Sequence, residues 1–407
     1  MTKHITQKRV DAKQPFSLTS AAFFENPYPF YDHLRSIGPL YKGSLLKNRG
    51  WYVTGYEEAL AILKDTRFQN RIPLPQTTKK YEFLKNIQNN MMVYKNQPDH
   101  KRLRFLVSKA FTPKMAEKYR PCIVETANDL LNGVQNKMDV VSDFAFPLAS
   151  LVIAKILGVP AEDRYLFREW SIILLQTIDF TRSRKELHKG NDKIIKLIDY
   201  FRVLIKKRKQ NPRNDLISML IKEEDKVSEE ELLSTCILLL IAGHETTVNL
   251  ISNSIFALIN HPDQFRKLKE NPSLTERAVE EFLRFESPTQ MIARYASEDI
   301  EINKNIIEKG EQVYILLGAV NRDPQKFIAP NRLDITRKSN YHLAFGHGVH
   351  FCLGASLARM EAQMAIHTLM HRITDLQLDA AELQWRNLMG FRSLEKLPIT
   401  FQNMESC

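Results

Sequence analysis

Cysteine is scarce in this sequence. Four occur in 407 residues, Cys122, Cys236, Cys352 and Cys407, far apart and with no CxxC pair. That spacing excludes a dense disulfide framework and offers no zinc or thiol-exchange motif, so a reducing cytoplasmic setting fits best. Long apolar runs are also missing. The longest, residues 236–243, falls far short of the roughly 20 residues that span a bilayer and reads as part of a buried helix. Residues 1–14 are polar and basic without an apolar core. Neither a signal peptide nor a membrane anchor is expected there, only a flexible N-terminal segment. No low-complexity tract, internal repeat or Pro/Gly/Ser linker divides the sequence, so residues 1–407 are expected to form a single domain.

Positive charge exceeds negative by 11, with a sequence pI near 9.3. The basic run Lys206-Lys207-Arg208-Lys209 stands without an aromatic platform or a nucleic-acid-binding signature and reads as a solvated helix end. No nucleic acid is expected as a partner. An acidic protein partner accounts better for the excess, because opposite charge raises encounter rates.

Along the sequence, residues 39–54 read as extended segments about a turn at Lys47-Asn48-Arg49-Gly50, and residues 56–63 as a helix. Residues 71–96, with Pro73 and Pro75 near their start, read as a long irregular loop that contributes to a binding site. Helical patterns dominate residues 98–288. Ser228 and Glu231 form a capping box before an apolar stretch that continues to Ile259 and stops at His261-Pro262. About 30 residues at roughly 1.5 Å each give a helix of roughly 45 Å, long enough to cross the molecule. Further helices are expected over 274–286 and 355–373, with short strands over 291–317, a turn at Lys309-Gly310 and a strand at 397–401. The fold class is mainly α with small β-sheets and a long central helix.

Four groups of residues carry chemistry. Cys352 lies in Phe345-Gly346-His347-Gly348-Val349-His350-Phe351-Cys352-Leu353-Gly354, a glycine-punctuated loop that opens onto a helix. Free N–H groups and the positive end of the helix dipole favour a thiolate there. Gly348 and Gly354 permit unusual backbone, and Phe345 and Phe351 can shield the sulfur. Such a thiolate is a strong axial ligand for haem iron, although a cysteine taken alone is more often a small buried hydrophobe.

The long helix contains Ala242-Gly243-His244-Glu245-Thr246-Thr247. A glycine followed by an acid and two hydroxyls suggests a widened turn with a polar groove, since threonine hydroxyls can bond the helix's own carbonyls. Oxygen activation needs such groups, a hydroxyl to hold O₂ and a carboxylate to relay protons. Glu281 and Arg284 sit three residues apart on one helix face. A pair of that kind on a surface contributes only tenths of a kcal/mol. His100 and Arg104 lie one turn apart, Arg294 lies in a strand-like run, and His350 precedes Cys352 by two residues. Each alone reads as a surface charge.

Taken together and in this order, the spacing Phe-x-x-Gly-x-x-x-Cys-x-Gly, the Gly-His-Glu-Thr-Thr segment, Glu-x-x-Arg, the His100/Arg104 segment and Asn321-Arg322-Asp323-Pro324 with Phe327 and Pro330 resemble cytochrome P450 enzymes over nearly the whole sequence. The resemblance implies the cytochrome P450 fold and a haem b cofactor with Cys352 as its axial thiolate. It implies Glu245 and Thr246 as the proton-delivering pair, and Ala242, Gly243, Phe345 and Gly354 as residues against the cofactor. His100, Arg104, Arg294 and His350 would bind the propionates, although many members carry Arg where His350 stands here. Glu281 and Arg284 would form a buried structural pair engaging the 331–332 region.

The implied activity is that of a monooxygenase supplied with electrons by a separate ferredoxin or flavodoxin. Lys101, Arg102, Lys109 and Lys114 are candidates for that docking patch. Met91, Met92, Val93, Leu174, Ile178, Phe180, Met291 and Ile292 are candidate pocket residues, and their apolar character favours a lipid-like or polyketide-like substrate. Residues 40–44, 176–184 and 286–291 resemble the biotin-pathway branch of the family in bacilli. That branch resemblance implies a long-chain acyl group on acyl carrier protein, broken internally to leave a pimeloyl unit, with Arg182, Arg184 and Lys185 as candidate carrier contacts. A general fatty-acid or polyketide hydroxylase is the alternative, and a haem sensor or carrier a remote one.

Overall fold

Helices dominate the computed structural model, which describes residues 20–45, 49–70, 80–380 and 382–403. The first part holds α1 (Ala21–Glu25), α2 (Tyr28–Ile37), β1 (Leu40–Gly43), β2 (Gly50–Val53), α3 (Tyr56–Lys64) and β3 (Phe68–Gln69). Next come α4 (Glu82–Asn90), α5 (Asp99–Ser108), α6 (Pro113–Asn132), β4 (Lys137–Asp139) and α7 (Phe146–Leu157). They lead into α8 (Arg164–Ile178), α9 (Arg184–Gln210), α10 (Leu216–Ile221) and α11 (Glu229–Asn260). Then follow α12 (Pro262–Glu270), α13 (Thr275–Phe285), β5 (Met291–Ala296), β6 (Ile300–Ile302), β7 (Asn305–Ile307) and β8 (Gln312–Leu316). The last elements are α14 (Leu317–Val320), α15 (Ala355–Arg372), β9 (Ile373–Leu378) and β10 (Pro398–Asn403).

The capping box that predicts α11 is made: Ser228 Oγ accepts the Glu231 N–H and the Glu231 carboxylate accepts the Ser228 N–H. The helix crosses the core and packs against α4, α7, α8, α9, α13 and α15. Gly243 permits this closeness, because a Cβ there would lie 2.7 Å from Ile153 on α7. The glycine therefore serves helix packing, and α11 runs on continuously where a widened turn was expected. Both α11 and residues 140–157 are long and apolar enough to cross a membrane, yet each is 78% buried within the protein, the placement of core helices.

A five-stranded sheet has the order β1-β2-β8-β5-β3, with β2 and β8 parallel and the other neighbours antiparallel. The pleat sends Trp51, Val53, Val313 and Ile315 into a cluster with Ala59 and Ile62 of α3. Tyr41, Tyr52 and Tyr314 occupy the other face as a stack with centroid spacings of 5.7 and 5.1 Å. Smaller sheets, β4-β10-β9 and β6-β7, sit at the periphery.

Some expectations lie outside the described residues: the N-terminal segment 1–14, residues 71–79, and half of the turn expected at 47–50. The expected irregular loop 71–96 is corrected by α4. Leu84 and Ile87, one turn apart, bury against the core while Glu82, Phe83 and Lys85 face outward, which is enough to fold a polar nine-residue helix by tertiary packing.

Candidate active site

The loop before α15 is shaped by glycine at two positions. Gly346 has φ +68° and Gly348 φ +70°, and a Cβ on Gly348 would run into the carbonyl oxygen of Leu63. Gly354, by contrast, has φ −85°, open to any residue, so the expectation that it supplies unusual backbone is corrected. The Cys352 N–H donates to Phe345 O at 2.9 Å, closing the loop beneath the helix start. Phe345 and Phe351 lie 6.3 Å apart, and Phe351 is 38% exposed.

In the protein alone, the surrounding loop desolvates the Cys352 thiol and pushes it above its ordinary range, although the residue itself is exposed. The Gly354 N–H and the Arg104 and Arg359 guanidinium groups pull the other way without overcoming it. The N–H of Gly354 and the two guanidinium groups are the protein's own contribution toward the thiolate. A coordinated metal ion deprotonates such a thiol outright.

Four basic residues converge beside this loop. His100 and Arg104 come from α5, Arg294 from β5, and His350 from the turn before Cys352. Arg104 Nη2 donates to Phe351 O at 2.6 Å, and the His100 and His350 rings lie 4.0 Å apart. Burial, then the neighbouring cations, holds His100 down to about 4 and His350 down to about 3. Burial lowers Arg294 to about 10. Among the described residues no carboxylate pairs with any of the four, and His100 Nδ1 is buried without a hydrogen-bond partner. Two guanidinium groups beside two neutral imidazoles, with no carboxylate among them, call for an anion. The cluster fits the two carboxylates of a haem, with Cys352 on the same side.

Asn70 belongs to this group and was not foreseen. Its Nδ2 lies 2.7 Å from Val93 O and 3.1 Å from His350 Nε2, so the asparagine ties the end of β3 to the loop. A single asparagine in a polar stretch carries no signal in the sequence that would mark it.

On α11, Ala242 is exposed and Gly243 and Thr246 are half-buried in a helix otherwise buried along this stretch. Ala242 and Thr246 are incompletely covered, whereas Gly243 lies against Ile153. The Thr246 hydroxyl donates to Ala242 O at 2.9 Å. Glu245 points elsewhere: it is 4% exposed, one oxygen lies 3.2 Å from His244 Nε2, and it lines a small cavity of mixed character with Arg168, Asn249, Arg386, Phe146 and Val248.

Below them, Glu281 and Arg284 are fully buried. Arg284 makes two bonds of 2.8 Å to the Glu281 carboxylate and donates to the carbonyls of Asn321, Pro330 and Arg332 at 3.1, 2.8 and 3.2 Å. Glu281 also accepts from Arg337, Asn340 and the Asp334 N–H. The Asn-Arg-Asp-Pro segment is anchored as well: Asn321 Oδ1 accepts the Leu343 N–H at 2.7 Å, and Asp323 accepts the Tyr56 N–H at 2.8 Å. A second buried network, Glu286 with Arg322 and Arg392, went unnoticed in the sequence.

The eight pocket candidates belong to different packing clusters. Met91, Met92 and Leu174, with Ile178 at their edge, belong to the helical core. Met291 and Phe180 pack in the aromatic cluster under α2, and Ile292 packs against the sheet cluster. Val93 is exposed. Of the basic patch, Lys101 and Lys114 are exposed, but Arg102 pairs with Glu231 at 2.5 Å and Lys109 with Glu223 at 3.2 Å. Those two are occupied within the protein.

The cytochrome P450 family model matches residues 161–375. The protein is 60% identical over 390 residues to the biotin biosynthesis cytochrome P450 of Bacillus subtilis (strain 168), an overlap of 95% of this sequence and 99% of that one. It is 37% identical to the polyketide biosynthesis cytochrome P450 PksS of the same organism, an overlap of 93% of this sequence and 96% of that one. Among solved structures, P450BioI in complex with hexadec-9Z-enoic acid ligated acyl carrier protein superposes with a TM-score of 0.92 at 60% identity, over 94% of this protein and 100% of that one. Likeness of this extent is shared ancestry as well as shared shape: the protein belongs to the cytochrome P450 family of haem-thiolate monooxygenases.

Proposed function

We propose that this enzyme oxidises a long-chain fatty acyl group tethered to acyl carrier protein and cleaves a carbon–carbon bond within it, leaving a pimeloyl unit for biotin synthesis. The observation that carries the reading is the 60% identity, over nearly all of both sequences, to a relative named for biotin biosynthesis. The likeness to a structure with an acyl-loaded carrier supports it, as does the net charge of +11, which suits an acidic carrier. The few, scattered cysteines support a cytoplasmic setting.

Bound haem supplies O₂ binding and the oxidising power to attack an unactivated C–H bond. The protein's own residues hold and protect it. Cys352 Sγ would hold the iron as a thiolate, and His100, Arg104, Arg294 and His350 would neutralise the cofactor's carboxylates. Glu281 and Arg284 brace the segment 321–340 that leads into the Cys352 loop. Thr246 Oγ1, turned from Ala242 O, offers a donor beside Gly243. Glu245, buried near Asn249 and Arg386, is the carboxylate that would carry protons. Electrons come from an acidic ferredoxin or flavodoxin.

Binding separates this reading from a general fatty-acid hydroxylase. Titrating haem-loaded enzyme with palmitoyl carrier protein and with free palmitate, followed by the haem absorption shift, should give tighter binding to the carrier form by at least tenfold. Equal affinity for the two would favour the general hydroxylase.

A further inference from the structure

Two histidines on α15 take no part in the site above. His367 and His371 stand one helical turn apart, with the first half-buried and the second exposed. Their Nε2 atoms lie 3.1 Å apart, closer than the ring centroids at 4.3 Å, so the two nitrogen corners lean together. Among the described residues, the polar contact given to either ring is with the other. One imidazole can donate a single hydrogen bond to its neighbour, and the pair then presents no second donor to hold in that gap.

We propose that His367 and His371 form a chelating site for a divalent transition metal ion such as Zn²⁺.

The span carries the argument. Imidazole nitrogens bind Zn²⁺ at about 2.0–2.1 Å. Two such bonds ending on atoms 3.1 Å apart enclose an angle of about 95–100° at the metal, between octahedral and tetrahedral values. Position on the helix adds a second argument. His371 lies in the last turn of α15, which ends at Arg372, where the dipole's negative end favours a cation. Lys269, the cation at this helix end, is turned to the carbonyls of Met370 and Ile373. Arg372 bonds Asn128 and Asn132 of α6. Water would complete the coordination shell, which makes the site open and exchangeable.

The test is Zn²⁺ binding to the haem-loaded full-length protein at pH 7.5, by calorimetry, comparing the natural protein with His371→Ala and His367→Ala. His371 is exposed, so its replacement leaves the fold intact, and the unchanged haem spectrum verifies this. The expected result is one equivalent of Zn²⁺ that each variant binds at least tenfold more weakly. Zn²⁺ binding of equal stoichiometry and affinity in the natural protein and His371→Ala would overturn the proposal. So would loss in His367→Ala alone, which would place the ion elsewhere.

Discussion

Glu281 and Arg284 form a two-pronged ion pair, both bonds 2.8 Å long, with neither side chain reaching solvent. Every strong donor and acceptor on the pair is used, which is the condition under which a buried pair is tolerated. Removing one partner strands the other. Arg284→Met should cost about 3–5 kcal/mol by that argument, seen as a lower denaturant midpoint and reduced haem content after expression. Arg284→Lys should fare little better, because a lysine cannot span one carboxylate and three carbonyls. A stable, fully haem-loaded Arg284→Met would show that the pair is not the brace described here.

Thr246 and Glu245 make a separable pair of predictions, since their side groups point to different surroundings. Thr246→Val keeps the shape and removes the hydroxyl. Product formation should fall by about 100-fold while O₂ and reductant continue to be consumed, measured as product per O₂. Glu245→Gln keeps the volume and removes the proton carrier. The rate of the step that follows O₂ binding should fall and its solvent isotope effect should change.

The basic cluster gives a pH prediction. In the folded state His100 titrates near 4 against an ordinary 6.5, so the folded state resists protonation. Between those values the unfolded state binds a proton that the folded state refuses, and stability falls as pH falls through that window. Haem-free protein should therefore lose stability from pH 6.5 toward pH 4. His100→Gln should flatten that slope, and haem should reduce it too, because its carboxylates favour the charged imidazole. Denaturation midpoints across that range check all three.

Arg294→Ala should weaken haem retention more than Arg104→Ala. Arg294 is the more deeply buried of the two, so its charge acts through a less screened medium. Rates of haem transfer to a scavenger protein give the comparison. Equal rates would mean that burial does not set the strength of this contact.

Much of this was legible in local sequence. Ser228 and Glu231 announce the start of α11, and His261-Pro262 its end. The Cys352 loop declares itself through spacing alone. What was not legible depends on residues far apart in the sequence. Arg102 and Lys109 read as free surface charges until Glu231 and Glu223, more than a hundred residues on, are placed beside them. Met91 and Met291 both look like pocket walls, yet the fold sends them to different clusters. The α4 helix was missed because its sequence is mostly polar and only the surrounding core holds it in place.

The most direct measurement is turnover of palmitoyl carrier protein by the haem-loaded enzyme with a ferredoxin or flavodoxin system, with the acyl group left on the carrier identified by mass spectrometry. The account predicts pimeloyl carrier protein. A carrier bearing only hydroxylated full-length acyl groups, with no cleavage product at any time point, would contradict it.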